Sequence, residues 1–410
     1  MSSVLDIQHD RSSAQAAEQQ QHQQLQQQQH PAPTPINQKQ LETSASQPLT
    51  SSTTAASGGD AGSNTKQHRW QWHKFSAWAK QFALDNFMLL SFSLAAALAM
   101  AWPVPGKAVA SWAVGDVRVV QALNNFLVFL ISGLTLKSDD FRALLKHWVG
   151  VLYGLIAILA ITPCLGFAML AIPFQPPEFA TGLALFCVVP TTLGVGVALT
   201  AASKGNQALA LLLTVATNLL GIVTVPYELR LVLSTGSVST VSVEPGSLVV
   251  KLILTVLVPS VIGKLARDLF KPVQRFVTRF KTPLSLFSTL NLACIVWQTL
   301  SGARQTLLQQ PFVAVLLVVV ASSLLHVVML LFNGLVVRYL LRLPFREAVA
   351  VVIMSSQKSA PVAVTVISYL TPSLTQQGLM AIPCILGQLA QIFIGSALAK
   401  WLRGRADKGL

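Results

Sequence analysis

The chain has 410 residues, 52% of them hydrophobic and only 11% charged, with a mean hydropathy of +0.57 and a net charge of +14. A water-soluble fold of this length needs far more surface charge, so the composition excludes one and points to a polytopic membrane protein. The positive charge lies between apolar segments, which makes the lipid bilayer its partner and argues against nucleic acid.

Residues 1–69 are a different material. Glu18–His30 is a glutamine tract, and Pro, Ser, Thr, Ala and Gly dominate from Pro31 to Asn64. Such a segment cannot bury a core and is expected to be a disordered tail. It has no apolar stretch of the kind a secretory signal needs. Asp6, Asp10 and Glu18, against Arg11 alone among the first 38 residues, count against an organelle transit peptide.

A helix needs about 20 mainly apolar residues to cross the hydrocarbon. Ten segments qualify: 84–104, 117–136, 147–172, 180–202, 207–228, 247–266, 282–301, 311–336, 347–370 and 376–402. Lys and Arg between them alternate in density. One side takes the flank before the first span, the segments around 137–146, Lys204, the basic loop 264–281, Arg338–Arg346 and the end of the chain. The other holds Lys107, Arg118, Arg230 and Arg304. By the positive-inside rule both termini are expected in the cytoplasm. The 264–281 loop reads first as a topology signal and, more sharply, as an attractor of anionic lipid. Cys164, Cys187, Cys294 and Cys384 lie in apolar segments without CxxC spacing and read as small buried hydrophobes.

Ten spans divide into two sets of five, and an odd number per half makes the halves inverted repeats. The fourth span of each half carries helix breakers: Pro190, Gly194 and Gly196 in one, Pro361 beside Ser355, Ser356 and Ser359 in the other. Irregular backbone at membrane depth survives only where protein or water covers it. Two such spans in symmetric positions point to a central binding site. Lys358 lies in the second, and a charge at mid-membrane costs at least about 2.5 kcal/mol. Both ends of that span are about 15 Å away by helix rise, too far for snorkelling. His326, Asn124, Asn125, Asn291, Gln298, Asn333, Gln388 and Gln391 are explained by packing and interhelical hydrogen bonds. No paired intramembrane carboxylate, GxSxG, HExxH or Walker motif appears, so neither enzyme, metal site nor cofactor is expected.

Cys187–Pro226, with "PTTL" and "KGN", and Ser355–Thr371, with "SQKS", resemble the bile acid:sodium symporter family, nearest the divergent branch of sodium/bile acid cotransporter 7 and its plant, algal and fungal relatives. The resemblance implies an all-α membrane protein of ten helices in two inverted five-helix repeats, with helices 4 and 9 broken and crossing. The transporter domain would span 70–403, with a short cytoplasmic tail at 404–410. Helices 1, 2, 6 and 7 would form a panel; helices 3–5 and 8–10 would form a core. It implies transport of a small organic anion by alternating access, with a sodium ion or proton as coupling cation, and Thr191, Thr192, Thr214, Thr217, Asn218, Ser356, Gln357, Lys358 and Ser359 around the site.

Two departures count against sodium coupling. A glutamate of sodium-dependent members falls near Ile353, and their Ser-Asn pair falls near Val195 and Gly196. Lys358 then reads as a built-in cation where those relatives hold a metal ion. Its expected acceptors are unwound carbonyls and the hydroxyls of Thr191, Thr192, Thr217 and Ser359. The branch also implies an alternative: a non-transporting or ion-linked regulator of cellular calcium homeostasis. The membrane is read as plasma membrane or endomembrane, with the plastid envelope as the alternative.

Overall fold

The computed structural model describes residues 83–84, 87–114, 117–136, 147–192, 194–235 and 243–408. The tail expected at 1–69 and the basic residues at 137–146 lie outside them. Each of the ten expected spans coincides with helix. Among the described residues, seven stretches are long and apolar enough to cross a membrane, or eight with one bent pair counted as a single span.

The bent pair is α1 (Phe87–Ala101) and α2 (Pro103–Ser111), which meet at 98°. The predicted first span ran on to 104; the helix ends earlier because Pro103 has no N–H to continue the ladder and starts a new helix instead. A two-residue antiparallel pair comes next, β1 (Ala113–Val114) with β2 (Val117–Arg118), and leads into α3 (Val119–Thr135). Beyond it lie α4 (Trp148–Leu170), α5 (Glu178–Val188), α6 (Val195–Ala202) and α7 (Gln207–Ser234). Asn206 caps α7, its side chain accepting from the Leu209 N–H at 3.2 Å.

The second half holds α8 (Pro245–Leu269), α9 (Lys271–Arg279), α10 (Lys281–Leu308), α11 (Phe312–Leu341), α12 (Phe345–Ser356), α13 (Ala360–Leu370) and α14 (Leu374–Asp407). The basic segment expected as a loop at 264–281 is therefore helical almost throughout: α8 runs to Leu269, and Pro272 sits in the first turn of α9. Burial identifies the centre. In the most apolar window of Phe345–Leu370, 94% of residues are buried, against 28% for Phe312–Leu341. So α12 and α13 lie inside the bundle, and α11 faces the bilayer.

Small residues set one close crossing. A Cβ on Gly133 of α3 would stand 2.0 Å from the Ser260 carbonyl oxygen, and one on Gly263 of α8 would stand 2.2 Å from that of Leu130. Backbones approach this closely only where side chains are missing. Gly263→Ala is expected to cost about 1–3 kcal/mol and to lower the melting temperature of the purified protein. Gly334→Ala, where a Cβ meets nothing within 4 Å, should leave it unchanged or slightly raised.

Candidate functional site at two helix breaks

Helix α5 stops at Val188 and α6 starts at Val195; α12 stops at Ser356 and α13 starts at Ala360. The two interruptions touch. The Ser359 N–H donates to the Pro190 carbonyl at 3.1 Å, and the Thr191 hydroxyl donates to the Met354 carbonyl at 2.7 Å. Freed backbone groups are thus satisfied across the gap, as burial requires.

Lys358 lies in the second interruption and is 2% exposed. Its ammonium donates to the carbonyls of Val189 and Ile158, each at 2.9 Å. A helix end and a proline account for the two acceptors. Val189 lies just past the end of α5, ahead of Pro190, where the helix presents its negative end. Ile158 sits in a π-turn, Ala157–Ile161, where the Thr162 N–H bonds to the carbonyl of Ala157. In that register the donor for Ile158 would come from residue 163, which is Pro163 and has no N–H. The lysine supplies the missing donor.

The hydroxyls expected to accept from the ammonium are engaged elsewhere. Thr217 donates to Leu213 O at 2.7 Å, as Thr214, expected near the site but not as an acceptor, does to Ala210 O at 2.9 Å. Thr192 accepts from the Gly196 N–H at 2.8 Å, and Ser359 caps α13 by accepting from Val362. The wrong expectation has a simple cause: these hydroxyls find nearer partners on their own helices or at the helix starts. Asn218 belongs to the interruption, its amide nitrogen reaching the Thr191 carbonyl at 3.2 Å. Ser356 accepts from Asn333, and the Gln357 amide donates to the Gln391 carbonyl.

Two residues assigned to general packing prove specific. The Gln391 side-chain oxygen accepts the Lys358 N–H at 2.9 Å, and that of Gln388 accepts the Ala360 N–H at 3.0 Å. Three residues apart on α14, they hold the second interruption open. That spacing was visible in the sequence; its target was not. The expected end of the fifth span at 228 also concealed Glu228, which lies inside α7, has a buried oxygen without a hydrogen-bond partner among the described residues, and is within Coulombic reach of Lys358.

A cavity of about 220 Å³ opens onto the interruptions. Thr192, Gly194, Ser359, Pro361 and Gln388 form one wall, and Ser285 and Thr289 of α10 face them. The starts of α6 and α13 therefore both border it, and helix starts favour negative charge. Gln388 is fully buried, and its amide nitrogen has no partner among the described residues. A second cavity of about 370 Å³ shares Met88, Val195 and Ala198 with the first and ends at Lys400 and Arg403. Lys358 lines neither; its charge stands behind the wall.

Residues 85–404 match the SBF-like CPA transporter family. A protein of Oryza sativa subsp. indica called "Probable sodium/metabolite cotransporter BASS4, chloroplastic" is 37% identical over 333 residues, 79% of this chain and 77% of its own. The Arabidopsis thaliana protein of the same name is 36% identical over 357 residues, 85% of this chain and 79% of its own. "Sodium/bile acid cotransporter 7" of Mus musculus is 27% identical over 283 residues, 67% of this chain and 81% of its own.

Gln391→Leu tests the cradle. It leaves the buried Lys358 N–H without an acceptor, at a cost of about 1–3 kcal/mol. A lower melting temperature for this variant is the expected result, with the Gln357 contact retained because it uses the main-chain oxygen of residue 391.

Proposed function

Because the chain belongs to the SBF-like CPA transporter family, within the bile acid:sodium symporter family, we propose that it is a secondary-active transporter that moves a small organic anion across the membrane by alternating access. The observation that carries this reading is the cavity at the interruptions, where two helix starts and the unpartnered Gln388 amide nitrogen converge. The ten spans form two inverted five-helix repeats; α5–α6 and α12–α13 are the broken fourth helices of each. Spans 1, 2, 6 and 7 make the panel, and the remainder make the core that moves against it. Thr192, Ser359 and Gln388 would contact the anion directly. Thr191, Thr214, Thr217, Asn218, Ser356 and Gln357 would hold the interrupted backbone in shape.

Lys358 takes the place of a coupling metal ion. A built-in ammonium on the Val189 and Ile158 carbonyls supplies the charge that sodium-dependent relatives obtain from solution. It also adds a positive potential behind the anion, which falls off slowly in a medium of low dielectric constant. Sodium is then dispensable, and a proton is the remaining coupling cation. No observation favours the calcium-regulator alternative. The word "chloroplastic" in the names of the rice and Arabidopsis relatives supports the plastid envelope as the membrane.

The test is flux into proteoliposomes, with anions first chosen by their ability to stabilise the purified protein thermally. Saturable uptake with counterflow is expected, undiminished when potassium replaces sodium. Lys358→Met should abolish uptake while the protein still inserts; an absolute sodium requirement or full activity in this variant would refute the role given to the ammonium. Topology is checked separately. An epitope at 271–279 should label from the same face as tags at both termini.

A further inference from the structure

Separate from the two cavities above, a cavity of about 230 Å³ opens between α3, α7 and α8. Phe129, Val215 and Val256 line its interior, and Leu219, Val261 and Leu265 its rim. Those three rim residues are 40%, 43% and 50% exposed on the outside of the apolar bundle, so the mouth looks onto hydrocarbon rather than water. Two of its polar wall groups need no ligand: Thr214 and Ser260 donate to carbonyls of their own helices. At the inner end stands Asn218, which bonds to the unwound Thr191 carbonyl. At the other end stands Lys264, paired with Asp268 at 2.8 Å.

Beyond Lys264 the surface changes character. Lys271, Arg275, Arg279 and Lys281 are all exposed, and Asp268 is the sole acid from 264 to 281. Between these bases Leu269, Phe270 and Phe276 are 70%, 58% and 52% exposed. A segment facing bulk water has no reason to present a leucine and two phenylalanines beside four cations. A helix lying in the membrane interface does: the apolar side chains enter the lipid and the bases stay at headgroup level.

We propose that the groove and α9 together form a binding site for an anionic phospholipid, with an acyl chain between α3, α7 and α8 and the phosphate on the basic residues from Lys264 to Lys281. The charge and the apolar slot adjoin at Lys264, and a phospholipid joins an anion to a hydrocarbon chain in that same order. A soluble anion would match only the basic half, and an uncharged lipid only the slot. The site goes beyond the transport reading and does not depend on it. A lipid seated there lies between α7, which holds the unwound segment through Asn218, and the α3–α8 pair locked by Gly133 and Gly263.

The experiment uses the full chain purified in mild detergent and exposed to mixed micelles of phosphatidylglycerol and phosphatidylcholine in equal amounts. Retained lipid is read by native mass spectrometry. Phosphatidylglycerol should be retained in preference. Neutralising Lys271, Arg275 and Arg279 to Gln should lower its retention by roughly fivefold per residue. Val261→Trp, which fills the groove from its lipid side, should lower retention as strongly while all the bases remain; Val261→Phe serves if the larger residue prevents folding. Equal retention of the two lipids would overturn the proposal. So would wild-type retention in the charge variant or in the groove variant, or displacement of the lipid by inorganic phosphate, which would make the basic residues a site for free anions.

Discussion

One buried ammonium organises the centre of this protein. Lys358 is held by two carbonyls from different helices, Ile158 in α4 and Val189 after α5, so a single side chain ties three helical segments together. The Val189 carbonyl lacks a helical donor because the helix has ended there, and that of Ile158 because Pro163 stands five residues on in the π register. Left alone, a buried charge and two buried acceptors are each destabilising; placed together they compensate one another. The cis-acting defects of three separate sequences, at Pro163, Pro190 and Lys358, therefore make sense only as a set.

The remaining geometry derives from that tie. With the ammonium fixed behind them, the interruptions exchange hydrogen bonds through Ser359, Pro190, Thr191 and Met354. Gln388 and Gln391 complete the satisfaction of the backbone from α14. What is left over faces the cavity: two helix starts, two hydroxyls on α10 and an amide nitrogen. Among its described residues the site has polar groups at the helix starts but no ion pair of its own. An anion entering it meets oriented dipoles rather than a partner charge, which favours binding that is firm enough to select and weak enough to release.

The breaks were legible because proline, glycine and serine stand out in an apolar stretch, and their symmetric placement could be counted. The partners of Lys358 were not, since every residue has a carbonyl and only register reveals which one has lost its donor; Pro163 was the available clue. Threonine misled in the opposite direction. Its hydroxyl prefers the carbonyl four residues back on its own helix, as at Thr214 and Thr217, so a polar residue type near a site is weak evidence for a ligand. The helix over Lys271–Arg279 was missed because its bases masked the apolar positions between them, and Glu228 because charge was taken as the end of a span that runs to Ser234.

The guanidinium of Arg118 bonds to the side chain of Gln377 and, at 2.7 Å, to the carbonyl of Pro372. Arg304 reaches the Met100 carbonyl at 2.6 Å. These contacts lie at the end of α14 opposite Lys400 and Arg403, where the cavity has its mouth. Hydrogen bonds thus clasp one end of α14, and the second cavity reaches the other. Each group of this clasp would find an equivalent partner in water, so releasing these bonds alone forfeits little enthalpy. In the alternating-access cycle proposed above, these bonds would add little to the free energy that a guest molecule must supply to tip the balance between clasped and released forms.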